Sequence, residues 1–204
     1  LVLLYCLCYT LAMSKDVKRK GEDMNSLFEA IQEKPKEGQK FVAVDVETTG
    51  LSPLTSELIE VSAIKYENFH KVETYTSFIK PVEPIPQKIT ELTGITNTMV
   101  KDARPVWEVM QEVIAFIGNC TIVAHNAPFD VSFLQVYSNN SFSKNKVVDT
   151  VKLGRKMYPH LINHKLATIA HHIGITETGF HRAEFDCECC AKIYLEYLKQ
   201  EKEA

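Results

Sequence analysis

The chain has 204 residues, of which 45% are hydrophobic, and 23 basic side chains against 26 acidic ones give a formal net charge of −3. This length suffices for one sizeable core. This charge balance neither suggests nor excludes a nucleic-acid partner: a protein that binds duplex mainly through its phosphates is usually basic, but bound divalent cations could supply positive charge locally. Three of the six cysteines fall within residues 187–190, which disfavours a disulfide framework and predicts a reduced, cytoplasmic location.

The N-terminal segment is apolar but does not match a membrane span. The run LVLLYCLCYTLAM has thirteen residues, fewer than the roughly 20 apolar residues that a span needs. Positive charge follows this run, at residues 15–20, whereas a signal peptide carries it before the apolar region. We expect residues 1–23 to be a translated leader, a disordered segment or a vector-derived extension, with a signal peptide or anchor as the alternative. Residues 24–204 are predicted to form a single domain with no membrane partner.

Hydrophobic periodicity divides the rest of the chain into helices and strands. Three strands come first, and helices then alternate with two further strands, which predicts an α/β fold with a mixed five-stranded sheet and helices on both faces. The predicted elements are an amphipathic helix (24–34), a buried strand (41–47), an antiparallel strand pair (57–68 and 71–80), helical turns (88–100), a helix (104–118), a strand (121–126), a helix (127–138), a strand (146–150) and helices to the C-terminus.

The buried strand ends in two acidic residues. The stretch FVAVDVETTG, residues 41–50, places Asp45 and Glu47 two positions apart, so both side chains point to the same face of the strand. Two like charges held close together repel, and burying them without a partner costs several kcal/mol. A D-x-E pair alone is usually a solvated strand end, but a divalent cation with oxygen ligands would also relieve the repulsion.

Two later segments place more acids at the ends of predicted elements. HNAPFD, residues 125–130, lies at a strand-to-helix junction with Asp130 in the first helical turn, where open α/β sheets tend to bind ligands. HRAEFD, residues 181–186, places His181 before the terminal helix and Asp186 in its opening turn. Each acid alone is explained by the helix dipole. Four acids and one histidine at three element ends indicate a metal-dependent active site.

These three motifs, in this order, resemble those of the DEDDh 3′→5′ exonucleases. The four acids match Asp45, Glu47, Asp130 and Asp186, and His181 matches the family's histidine, over roughly residues 40–198. Within the family the chain is most similar to the proofreading exonuclease of bacterial DNA polymerase III. The resemblance implies an RNase H-like fold and release of nucleoside 5′-monophosphates, one at a time, from the 3′ end of DNA.

The resemblance also implies roles for individual residues. Two divalent ions, Mg²⁺ or Mn²⁺, would lie about 3.5–4 Å apart. Asp45 would bridge them, Glu47 and Asp186 would complete the site that carries the attacking water, and Asp130 would act on the second ion directly or through water. His181 would be the general base, because histidine titrates near neutral pH. The substrate-binding residues implied are Thr48 and Leu51, at the 3′-terminal nucleotide, and Asn126, which would order the second motif.

Several questions stay open at this stage. An RNA exonuclease similar to ribonuclease T or oligoribonuclease is the alternative enzyme, because contacts to the 2′-OH are not readable from the sequence. A nucleic-acid-binding module without catalysis is the alternative from another class. A DNA polymerase is a candidate partner. Asp149 is interpreted as a helix cap. The cysteines of CECC, residues 187–190, are interpreted as core or idle thiols, at least one of them in the core, rather than as zinc ligands.

Overall fold

The computed structural model describes residues 40–176 and 179–203, which belong to one compact unit. The strands are β1 Lys40–Thr48, β2 Leu58–Glu67, β3 His70–Lys80, β4 Arg104–Pro105, β5 Thr121–Ala124 and β6 Val147–Asp149. The helices are α1 Gln87–Thr93, α2 Asn97–Val100, α3 Val106–Ile117, α4 Pro128–Tyr137, α5 Thr150–Met157, α6 Leu166–His172 and α7 Ala183–Glu203. The segment 1–23 and the helix predicted over residues 24–34 lie outside the described residues.

The described strands form one mixed sheet in the order β4-β3-β2-β1-β5-β6. β2 runs antiparallel to both β1 and β3, β5 and β6 continue the sheet in parallel with β1, and β4 pairs in parallel with β3. The sequence predicted five strands, and the structure adds a sixth. This strand, β4, consists of Arg104–Pro105 paired with Ile79–Lys80. Two residues are too short to produce an alternating pattern, so the sequence could not indicate it.

Strand β1 separates two hydrophobic layers because its side chains alternate between the faces of the sheet. Val42, Val44 and Val46 point to one face, where they pack in a core cluster with α3 and α4. Phe41 and Ala43 point to the opposite face and pack with residues of α7. Asp45 and Glu47 therefore project on the α7 side of the sheet, at the carboxyl end of its central strand.

The terminal helix α7 is packed through its small thiol side chains. Cys187 and Cys190 are fully buried against the β1 face, and Cys189 is buried against Ala170 and Ile175. The interpretation of these residues as core side chains is confirmed. Small side chains at these positions let the helix approach the sheet closely, and this close approach brings its first turn to the end of β1.

Among residues 40–176 and 179–203, the structure contains no helix with the length and apolar character to cross a bilayer.

Helix α4 provides a test of the core. Leu134 is fully buried, whereas Val136 on the same helix is 47% exposed. We expect Leu134→Ala to lower the free energy of unfolding by about 2–5 kcal/mol, because the truncation leaves a cavity. Val136→Ala is the matched control and should change it by less than about 0.5 kcal/mol. Urea denaturation of both variants measures the difference, and equal losses would contradict this assignment of the core.

Candidate active site

Three carboxylates meet at the end of β1. One oxygen from each of Asp45, Glu47 and Asp186 lies within 4.8 Å of the other two. Asp45 and Glu47 come from the same face of β1, and Asp186 comes from the first turn of α7, which covers that face. The sequence placed these acids at the ends of separate elements, and the fold brings them together. This set is called the carboxylate cluster below.

Asp130 lies beside the carboxylate cluster but is not one of these three residues. It is in the first turn of α4, is 3% exposed, and accepts a hydrogen bond through Oδ1 from the Val46 N–H at 3.2 Å. Because β1 and β5 are parallel, the helix that follows β5 begins at the same edge of the sheet where β1 ends. Asp130 thus fixes the carboxyl end of β1 and adds a fourth acid next to Asp45.

Burial raises the pKa of all four acids at this site, and repulsion by neighbouring acids adds to this effect at Asp45, Glu47 and Asp130. Burial, followed by the charges of Asp130 and Asp186, raises the pKa of Asp45 well above its ordinary value. Burial and then Asp186 raise the pKa of Glu47 to about 7. Burial, with smaller contributions from the charges of Glu47 and Asp149, raises the pKa of Asp130 to about 8, against the opposing effect of its backbone hydrogen bonds. Without a cation, this site resists full ionisation at neutral pH.

Asp186 shows most directly that the site fits a cation. Burial raises its pKa to about 6, although the N–H and the imidazole of His181 act in the opposite direction. Its Oδ2 accepts a hydrogen bond from the His181 N–H at 3.0 Å. Its Oδ1 is buried and has no hydrogen-bond partner within the described part of the chain. A buried carboxylate oxygen without a donor, in an all-oxygen cluster, is suited to Mg²⁺ or Mn²⁺.

His181 lies at the rim of the carboxylate cluster. It is exposed, lies two residues before the first residue of α7, and has a backbone φ of 68° in the left-handed region. The hydrogen bond from its N–H to Asp186 ties this conformation to the first turn of α7. Its side chain is close enough to Asp186 to lower the pKa of that acid. The structure therefore brings the histidine of the third motif to the cluster.

The three expected substrate-binding residues lie around the same edge. Thr48 is buried at the end of β1, and its hydroxyl donates to the Gly50 carbonyl at 2.6 Å. Leu51 follows in the next loop and is 87% exposed. Asn126 is exposed with a φ of 57°, and its N–H donates to Asp149 Oδ1 at 3.0 Å.

Asp149 is confirmed as a helix cap. Its Oδ1 accepts hydrogen bonds from the Val151 N–H, at the start of α5, and from the Asn126 N–H, each at 3.0 Å. It thus orders the segment of the second motif as well as α5. Both contacts are to backbone groups, and Asp149 is not one of the acids of the carboxylate cluster, so the contacts seen here are structural.

Sequence reasoning missed Glu60. It lies on β2 directly opposite Glu47 and is 1% exposed. It is paired with Arg182, whose Nη2 donates to Glu60 Oε1 at 3.0 Å. Glu60 raises the pKa of Glu47, while Arg182 lowers it. An acid inside the otherwise apolar segment LIEV was the available signal, but its partner lies 122 residues away and could not be identified from periodicity.

Comparison with known proteins agrees with this geometry. A family model described as exonuclease matches residues 42–194. A PolC-type DNA polymerase III of Halalkalibacterium halodurans is 40% identical in an alignment of 171 residues that covers 80% of this chain and 12% of that polymerase. This chain therefore spans about an eighth of the length of the curated relatives it matches.

Solved structures show the same fold. Exonuclease I matches with a TM-score of 0.69 and 17% identity, over 80% of this chain and 41% of that one. Exonuclease X in complex with 5′-overhanging duplex DNA matches with a TM-score of 0.62 and 22% identity, over 78% and 92% of the two chains. The predicted RNase H-like α/β fold is confirmed.

Repulsion within the carboxylate cluster can be tested through the stability of the metal-free protein at different pH values. Raised pKa values mean that the folded state binds more protons than the unfolded state between about pH 4 and pH 8. The stability of the metal-free protein is therefore lost as pH rises through this window. Asp45→Asn removes one repelling charge and should stabilise the metal-free protein by about 1–3 kcal/mol at pH 8, with less effect at pH 5.

Thermal unfolding with and without EDTA measures this effect. Asp102→Asn, at an exposed acid outside the cluster, is the matched control. In the wild type, adding Mg²⁺ or Mn²⁺ at pH 8 should raise the melting temperature. The melting temperature of Asp45→Asn should change little on the same addition. If Asp45→Asn lowered the melting temperature of the metal-free protein at pH 8, the account of repulsion in the cluster would be wrong.

With fold, cluster and motifs in agreement, the chain belongs to the exonuclease family, and its motif set is that of the DEDDh 3′→5′ exonucleases.

Proposed function

We propose that this chain removes nucleoside 5′-monophosphates from the 3′ ends of DNA, at single-stranded or frayed termini, in proofreading or repair. The observation that carries the proposal is the carboxylate cluster of Asp45, Glu47 and Asp186 at the end of β1, next to His181. DNA is favoured as the substrate because the curated relatives are PolC-type DNA polymerases and because exonuclease X was solved with duplex DNA. A DNA polymerase is the proposed partner on the same ground.

Each residue of the site has a proposed role in the hydrolysis of the phosphodiester bond. When bound, two divalent cations, Mg²⁺ or Mn²⁺, supply positive charge to the scissile phosphate and the leaving 3′ oxygen. Asp45, Glu47 and Asp186 would hold these ions, with Asp130 acting on the second ion directly or through water. His181 would accept the proton of the attacking water. Water adds to phosphorus, the bond to the 3′ oxygen breaks, and a nucleoside 5′-monophosphate leaves.

The exposed loop after β1 supports the proposed contacts with the 3′-terminal nucleotide. Leu51 is 87% exposed, so its side chain has little packing within the described chain and is available to contact a base. Thr48 is fixed by its hydrogen bond to Gly50, which orients the backbone at the strand end. Asn126 lies on the other side of the β1 end, in the segment fixed by Asp149. These three residues would position the substrate rather than react with it.

A degradation assay tests the proposed activity. We expect 5′-labelled single-stranded DNA to be shortened from its 3′ end one nucleotide at a time with Mg²⁺ or Mn²⁺, and EDTA to stop the reaction. Matched RNA, paired duplex and 3′-mismatched duplex complete the comparison. Faster cleavage of RNA than of DNA would favour an exoribonuclease, and no product with either metal would favour a binding module or a dependence on a polymerase partner.

Substitutions test the assigned residues. Asp45→Asn should lower kcat by about three orders of magnitude or more, because it weakens the binding of ions worth several kcal/mol in the transition state. His181→Ala should lower kcat by about 10²- to 10⁴-fold while metal binding, measured by Mn²⁺ titration, is retained. Asp102→Asn is the control and should match the wild type. Retention of more than a tenth of the activity by Asp45→Asn would refute the site assignment.

A further inference from the structure

Glu60 is a buried acid that contacts the segment before α7. Its side chain is 1% exposed on β2, and both of its oxygens accept hydrogen bonds from the third motif. Oε1 accepts from Arg182 Nη2 at 3.0 Å, and Oε2 accepts from the Ala183 N–H at 3.3 Å. A buried carboxylate costs several kcal/mol unless it is paired and hydrogen-bonded. The pairing of Glu60 therefore favours one position of residues 182–183 over the others.

His181 immediately precedes Arg182 and Ala183, and its backbone conformation needs to be stabilised. Its φ of 68° lies in the left-handed region, which costs a residue with a Cβ about 1–2 kcal/mol. Its N–H donates to Asp186 at 3.0 Å. Residues 181–183 are thus held between two carboxylates, that of Asp186 on the His181 side and that of Glu60 on the Ala183 side.

A further contact orients the positively charged side chain of Arg182. The Arg182 guanidinium lies over the ring of Phe78 on β3, 5.6 Å from its centroid. The Arg182 side chain is 48% exposed, so water reaches part of the guanidinium while Glu60 remains buried. The contacts therefore run from β2 and β3, through Arg182, to the residue that carries the imidazole.

We propose that Glu60 is a positioning residue for catalysis: through Arg182 and Ala183 it holds the backbone of His181 so that the imidazole faces the carboxylate cluster. This inference rests on the proposed function, in which His181 accepts a proton from water. It assigns no contact between Glu60 and the substrate. Loss of the Glu60 contacts therefore reduces the rate of the chemical step and leaves substrate binding unchanged.

Glu60→Gln is the appropriate substitution because it keeps the size of the side chain but has one acceptor oxygen for two donors. We expect kcat to fall about 10- to 100-fold, since a displacement near 1 Å at a reacting group has an effect of this size, with KM for single-stranded DNA changed less than about threefold. Glu188→Gln is the matched control, because Glu188 pairs with Lys71 at 2.6 Å and also links α7 to the sheet, on the exposed side. Its kcat should stay within twofold of the wild type.

The same substitution in a His181→Ala background separates positioning from general stabilisation. If Glu60 acts through His181, Glu60→Gln should lower kcat by less than about twofold in a protein that already carries His181→Ala. An equal loss of kcat in both backgrounds would overturn the proposal, because Glu60 would then act on the carboxylate cluster or on stability. A wild-type kcat for Glu60→Gln would overturn it as well. Absence of activity in the wild type itself would refute the proposed function instead.

Hydrogen exchange provides a readout that does not depend on activity. In the metal-free protein, Glu60→Gln should accelerate exchange of the Ala183 and His181 amides about tenfold or more, while amides in the middle of α7 keep their protection. Unchanged exchange at both amides would contradict the proposal. If Glu60→Gln fails to fold, Arg182→Met removes the charged donor, retains an apolar stem over Phe78, and is measured in both backgrounds with the same expected results.

Discussion

Electrostatic repulsion at the carboxyl end of β1 is the constraint on which the rest of this site depends. Asp45 and Glu47 share a face of one strand, and α7 brings Asp186 against them, so three like charges lie within 4.8 Å. Burial raises the pKa of each of them. Two basic side chains act on this cluster: that of Arg182, which lowers the pKa of Glu47 but is paired with Glu60, and that of His181, which lowers the pKa of Asp186. A bound divalent cation is the charge that the arrangement requires.

Apolar contacts on both faces of β1 hold the mutually repelling acids together. Valine side chains on one face of β1 pack with α3 and α4, and Phe41 and Ala43 on the other face pack with α7. Burial of this apolar surface, worth about 25 cal/mol per Å², holds the end of β1 against the starts of α4 and α7. The acids occupy positions where these contacts end. The stability of the core thus offsets the repulsion within the site.

The sequence predicted the parts of the site that depend on local spacing. Residues two positions apart on a strand share a face, so the spacing predicted that Asp45 and Glu47 project together, whereas their assignment to a metal site also needed the second and third motifs. Asp149 was interpreted as a cap because it ends a strand before a helix, and the structure confirms it. Glu60 was missed because its role depends on the register of β2 against β1 and on a partner 122 residues away. Strand β4 was missed because two residues carry no periodicity.

Anomalous X-ray scattering from crystals grown with Mn²⁺ tests the central claim most directly. The account predicts two anomalous peaks about 3.5–4 Å apart, both in contact with Asp45, one also in contact with Glu47 and Asp186, and the other on the side of Asp130. The orphaned Oδ1 of Asp186 should be among the ligand atoms. Crystals soaked in millimolar Mn²⁺ that show no peak among these carboxylates would contradict the account.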